Sequence, residues 1–127
     1  ALKRMGFKTA VASNTPQKRL NEAIRQCGLE DVLNLWISSS VTGRLKPEPD
    51  VYLRAMQELD TKPDCCIAVE DSDCGLTAAK KSGCHVVCRK DERFGFLQEL
   101  GEYKIKDLTG IFDCIKCLNE IRKVSGT

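Results

Sequence analysis

The stretch Cys66-Ile67-Ala68-Val69-Glu70-Asp71-Ser72-Asp73-Cys74-Gly75 decides how the rest of the chain is read. Its first half is an apolar run ending in a carboxylate, too brief for a helix and suited to a strand. Its second half is rich in capping residues, and Leu76, Ala78 and Ala79 then predict a helix that Ser82-Gly83 ends. His85-Val86-Val87-Cys88 predicts the next strand. Strand, acidic turn, helix and strand in that order form the unit of a parallel sheet with right-handed helical crossovers.

The same unit recurs toward the N-terminus. Thr9-Ala10-Val11-Ala12-Ser13 predicts a strand; Thr15 can cap, Pro16 fits a first helical turn, and Leu20, Ala23, Ile24 and Cys27 keep helical spacing until Gly28. Leu35-Trp36-Ile37-Ser38 predicts a second strand, with Trp36 in the core. A helix follows from about Pro49, with Tyr52, Ala55, Met56 and Leu59 in period. Ala1 to Met5 reads as the last turn of a helix closed by Gly6, so the chain is expected to begin in mid-element. Toward the C-terminus come a short strand near Tyr103-Lys104-Ile105 and a helix with Ile111, Cys114, Ile115, Leu118 and Ile121 on one stripe. The expected fold class is α/β, a Rossmann-like three-layer core with a parallel sheet. At 127 residues and 42% hydrophobic content, residues 1–127 are expected to form one domain.

Twenty basic residues nearly cancel 18 acidic ones, and a net charge of +2 provides no broad footprint for nucleic acid or a membrane surface. No apolar run is long enough to cross a bilayer, and the N-terminus carries no basic segment followed by an apolar one. A cytoplasmic protein with a small-molecule partner is the expectation. Most of the eight cysteines are expected to be reduced packing residues, since Cys66 and Cys88 fall in strand-like runs and Cys27, Cys114 and Cys117 on helical faces. Cys114-x-x-Cys117 lacks the second pair that zinc ligation wants. His85 is expected to pack or sit at an edge, and Arg89-Lys90 to form a solvated turn.

In an open α/β sheet, ligands bind beyond the carboxyl ends of the strands, where loops and helix N-termini converge. Ser13 and Asn14 follow the first strand, Ser38, Ser39, Ser40 and then Lys46 the second, and Glu70, Asp71, Ser72 and Asp73 the third. Hydroxyl and amide donors, one cation and an acidic cluster suit a phosphoryl group bridged to a hard metal ion such as Mg²⁺. Taken singly, Asp71 or Ser72 reads better as a helix cap and Lys46 as a solvated charge. Four such sites, each after a strand, favour the functional reading.

Val11-Ala12-Ser13-Asn14-Thr15, Leu45-Lys46-Pro47-Glu48-Pro49-Asp50 and Val69 to Gly75 resemble, in order, the second, third and fourth motifs of the haloacid dehalogenase superfamily. Within it they look most like the β-phosphoglucomutase and phosphoglycolate phosphatase branch, over about Leu2 to Cys88. The resemblance implies a phosphatase or phosphomutase acting on a small phosphorylated metabolite, in which an aspartate attacks phosphorus and the aspartyl-phosphate is then discharged. It implies that Ser13 hydrogen-bonds the phosphoryl group with Asn14 beside it, that Lys46 neutralises phosphate, and that Asp71 with Glu70 positions Mg²⁺. Ser13, Lys46 and Asp71 are thus the expected catalytic residues, Ser13, Asn14 and Lys46 the substrate-binding ones.

The family's first motif, an Asp-x-Asp at the end of an apolar strand, does not occur before Ser13, and Asp71-Ser72-Asp73 occupies the fourth-motif position. The helical cap of this branch is also missing. The sheet is therefore expected to be incomplete, its central nucleophile strand supplied by an upstream segment or a second chain, and this chain is expected to be inactive alone. A non-catalytic remnant used in binding or assembly is the alternative. A response-regulator receiver fits less well, because its lysine follows its last strand whereas Lys46 precedes the acidic pair.

Overall fold

A computed structural model of the chain describes residues 1–90 and 101–124, with side chains up to residue 119. The elements are β1 (Ala10–Ser13), α1 (Gln17–Gln26), β2 (Leu35–Ser38), a one-turn α2 (Ser39–Thr42), α3 (Asp50–Glu58), β3 (Ile67–Glu70), α4 (Asp73–Ser82), β4 (His85–Arg89), β5 (Tyr103–Ile105) and α5 (Ile111–Val124). Short 3-10 turns lie at Pro63–Cys65 and Leu108–Gly110.

The helix boundaries follow from local chemistry. Before β1, the Gly6 N–H donates to the Lys3 carbonyl and the Phe7 N–H to the Leu2 carbonyl, the paired bonds of a left-handed helix cap, with Gly6 at φ 86°. The acidic turn becomes α4 because the Ser72 Oγ accepts from the Gly75 N–H at 3.1 Å, and α4 ends on Gly83 in the left-handed region. α2 starts directly after β2: Ser38, in extended conformation, caps it by accepting from the Ser40 N–H, which turns the chain helical at once.

All strand pairs among the described residues are parallel. β1 pairs with β2 from Ala10↔Leu35 to Ser13↔Ser38, β3 with β4 from Ile67↔His85 to Glu70↔Cys88, and β4 with β5 from Val87↔Tyr103 to Arg89↔Ile105. The sheet is therefore in two pieces, β1-β2 and β3-β4-β5, and among the described residues no strand pairs with the second edge of β1 or of β3. Ile37 meets Val51 and Ala55 of α3, whereas Trp36 faces the other way and donates from its indole N–H to Asn21 of α1 at 3.0 Å. Ala68, Val86 and Cys88 pack with Met56, Leu76 and Ala79 on the α3-α4 face, and Val87 and Ile105 with Ile111, Cys114 and Ile115 on the α5 face. Helices thus cover both faces, the three-layer Rossmann-like arrangement expected. Tyr52 packs against the clusters of both pieces, so α3 spans them.

Several expectations about burial change. Leu20 and Ile24 of α1 are buried, but Ala23 and Cys27 are exposed, because α1 covers only a two-stranded piece and Cys27 caps the helix beyond it. Trp36 is half-buried rather than core, since its ring sits at the α1 flank with its N–H bonded to Asn21. Cys117 is exposed while Cys114, one turn earlier, is buried. None of the eight cysteines is in a disulfide, and burial pushes the thiols of Cys84, Cys88 and Cys114 up from their ordinary range. His85 is half-buried and bonded to Glu102 and the Asp64 carbonyl. The side chain of Ile121 lies outside the described residues. Among the described residues no helix is long and apolar enough to cross a membrane.

Leu76 carries much of the α3-α4 face, being 1% exposed between Ala68, Val86 and Met56. Leu76→Ala should lower the unfolding free energy by about 2–5 kcal/mol in a urea titration, the cost of a cavity at a well-packed position. A loss within experimental error of zero would mean that this face is not the core.

Candidate functional site

The carboxyl ends of β1, β2 and β3 carry the polar residues named from the sequence, and one cation draws two of those ends together. Lys46, in the segment between α2 and α3, donates from Nζ to the Ala12 carbonyl oxygen of β1 at 2.8 Å and to Glu70 Oε1 of β3 at 2.5 Å. Both side chains are 10% exposed. Removing two charges from water costs several kcal/mol per ion, which direct contact and further hydrogen bonds must offset. Those bonds are present. Besides the Ala12 carbonyl on the lysine, the Tyr52 hydroxyl donates to Glu70 Oε1, and the ammonium lies 5.1 Å from the centroid of the Tyr52 ring.

Glycine matters at one point of this cluster. A Cβ on Gly75 would stand 2.0 Å from Glu70 Oε2, so the first turn of α4 accepts the carboxylate only because residue 75 has no side chain. The arrangement also sets a negative charge against a helix N-terminus, where the macrodipole favours it. Burial above all, and then the negative charge of Glu70, push the Tyr52 hydroxyl far above the ordinary phenol range. It is accordingly a proton donor throughout the working pH range.

Asn14 fixes the approach of Lys46. Its Oδ1 accepts from the Lys46 backbone N–H at 2.9 Å and from Ser39 Oγ at 2.6 Å, while its Nδ2 donates to the Lys46 carbonyl at 3.4 Å. The Asn14 side-chain oxygen is thus committed to binding the lysine segment and α2 to the end of β1. Ser13, half-buried, accepts from the Thr15 N–H at 3.0 Å, which leaves its hydroxyl proton for another acceptor. Asp71 is exposed beside Glu70, and Ser72 caps α4.

Of the residues read from the sequence, the structure brings Lys46 and Glu70 into contact and joins Asn14 to Lys46. Asp71 follows Glu70 directly and Ser13 lies next to Ala12. Ser38 and Ser39 are wholly buried and bonded to Ser40, Gln17 and Asn14, so they build the turn rather than face a ligand. Local sequence does not mark Tyr52 or Gly75 as site residues, since Tyr52 fits the apolar period of its helix. A signal for Tyr52 was available all the same, since a phenol on a core-facing helical stripe needs a polar partner when buried.

The donor set can hold a magnesium ion in part. Two adjacent carboxylates at a strand end are hard oxygen donors of the kind Mg²⁺ takes alongside water and phosphate, although Glu70 Oε1 already serves Lys46 and Tyr52. Among the described residues no group of three or more His, Cys, Asp or Glu gathers as a metal site. The cation would therefore rest chiefly on exposed Asp71, with oxygens from elsewhere.

The sequence pattern of the haloacid dehalogenase-like hydrolases matches residues 1–83. The chain is 32% identical over 77 residues to a phosphorylated carbohydrates phosphatase of Thermotoga maritima, covering 61% of this chain and 36% of that protein. It is 29% identical to a beta-phosphoglucomutase of Bacillus subtilis over 68% of this chain and 37% of the relative. The crystal structure of CbbY from Rhodobacter sphaeroides in complex with phosphate superposes with a TM-score of 0.74 at 27% identity, over 84% of this chain and 49% of that one. The chain thus spans well under half the length of these curated relatives. With the parallel sheet, the lysine and acidic pair at its strand ends and a match over most of its length, the chain belongs to the haloacid dehalogenase-like hydrolase family.

Proposed function

We propose that these residues form the phosphoryl-binding part of a Mg²⁺-dependent phosphatase or phosphomutase acting on a small phosphorylated metabolite. The observation that carries this reading is the Lys46 ammonium, held between the ends of β1 and β3 beside an exposed aspartate. A cation fixed in that way neutralises a phosphoryl group without having to reorganise when charge develops, which is where most catalysis of phosphoryl transfer resides. Ser13 donates its hydroxyl proton to a phosphoryl oxygen, and Asn14 holds the lysine segment against β1 and offers its backbone to the substrate. Asp71, with Glu70 behind it, holds the metal, which when bound would supply further positive charge to the phosphoryl oxygens.

The acceptor aspartate is not among these residues. In this reading residues 1–127 are the later portion of one core domain, carrying motifs two to four without a cap. The strand bearing the aspartate lies between β1 and β3, contributed by an upstream segment or by a second chain. That no strand among the described residues pairs with the second edge of β1 or of β3 supports this, because backbone donors and acceptors left there want a partner. A non-catalytic remnant used in binding or assembly is the alternative, favoured by the same missing acceptor.

The chain alone should not turn over p-nitrophenyl phosphate or small sugar phosphates, whereas a form extended upstream through an Asp-x-Asp strand and a cap should do so with Mg²⁺. Asp71→Asn in the longer form controls for contaminating phosphatase. Turnover by the short chain that Asp71→Asn abolishes would refute the claim that a missing nucleophile is decisive, and an inactive long form would favour the remnant.

Mg²⁺ should bind the short chain weakly, and Asp71→Asn should weaken it by about tenfold or more in a calorimetric titration, since loss even of an outer partner commonly costs that much. Tight binding indifferent to the substitution would place the metal elsewhere.

A further inference from the structure

Glu70 is enclosed on three sides, and one of them is a hydroxyl that neither the sequence motifs nor the proposed chemistry uses. Lys46 and Tyr52 both donate to Oε1, while Oε2 lies against the bare Cα of Gly75. Tyr52 is itself fixed, because its ring packs against the apolar clusters of both sheet pieces and is not free to follow a moving carboxylate. A phenylalanine would fill the same apolar space. What the hydroxyl adds is a second donor to the oxygen that grips the lysine.

We infer that Tyr52 is a positioning residue: its hydroxyl locks the Glu70 carboxylate in the rotamer that holds the Lys46 ammonium at the ends of β1 and β3. A charged hydrogen bond to a carboxylate is stronger than a neutral one, and in a site this sheltered its loss is not made good by water. Without the hydroxyl, Lys46 is the donor that remains to Glu70 among the described residues, and the carboxylate loses its tie to α3 while the lysine keeps only the Ala12 carbonyl as a fixed anchor. The functional meaning of this clamp rests on Lys46 being the phosphate-neutralising cation; the clamp itself can be read without phosphate.

The experiment compares the 127-residue chain with Tyr52→Phe, Tyr52→Leu and Gly75→Ala. The Lys46 ammonium is observed by proton–nitrogen NMR and identified by the disappearance of its signal in Lys46→Arg. Tyr52→Phe should keep the backbone amide spectrum and most of the urea midpoint, yet speed exchange of the ammonium protons with water on the order of tenfold, as expected for loss of a bond that restrains a charged pair. Gly75→Ala pushes the carboxylate from the opposite side and should produce the same change with the hydroxyl intact. Tyr52→Leu should in addition lower the urea midpoint, because the ring packing goes with it. Titration with inorganic phosphate in the presence of Mg²⁺ should show weaker affinity in Tyr52→Phe than in the wild type. If ammonium exchange in Tyr52→Phe and Gly75→Ala equals that of the wild type, the clamp is refuted. If the wild type binds no phosphate but the exchange rates differ as stated, the clamp stands and the phosphoryl reading falls.

Discussion

Everything at the candidate site depends on a single ammonium group with two anchors. Lys46 reaches the Ala12 carbonyl on one piece of the sheet and the Glu70 carboxylate on the other. Two charges this sheltered are costly unless each is further bonded, and each is: the lysine to a backbone oxygen, the glutamate to Tyr52. The pair therefore does more to specify position than to add stability. It ties the ends of β1 and β3 to one point, the region where a parallel α/β sheet offers its ligand crevice.

The rest of the architecture delivers that lysine. Asn14, at the end of β1, takes the Lys46 backbone on both its N–H and its carbonyl, so the segment leading into α3 cannot pivot away. α3 then lies across both pieces of the sheet, Val51 and Ala55 on one cluster and Met56 on the other. Its Tyr52 stands where the two clusters meet. Packing and electrostatics thus converge on the same helix, which explains why a break in the sheet between β1 and β3 does not separate the polar residues at their ends.

The candidate site was partly legible in the chain and partly not, for reasons that differ residue by residue. Lys46, Glu70 and Asp71 could be named because each follows a strand that short apolar runs announce. Ser38 and Ser39 could be named by the same rule, yet they are buried, because a one-turn helix begins at once after β2 and uses their hydroxyls internally. Asn14 could be placed at the strand end, but its bond to a segment more than thirty positions later was not visible in local sequence. Tyr52 was hidden by its own periodicity, since an aromatic residue on the apolar stripe of a helix calls for no further explanation.

The sequence by itself determined the alternation of strands and helices, the parallel sense of the pairing and the family, because these rest on hydrophobic period, capping chemistry and motif order, all local properties. Even the short strand at Tyr103–Ile105 was readable, and its pairing with β4 follows the expected sense. Only the tertiary structure decided which polar groups share a charge. That Glu70 faces Lys46 and Tyr52 rather than solvent, while Asp71 beside it stays exposed, depends on the register of β3, the absence of a side chain at Gly75 and the angle of α3 across the sheet. Glu70 ends β3 and Asp71 follows it into the turn, so one position separates a clamped carboxylate from an exposed one, and packing selects which is which.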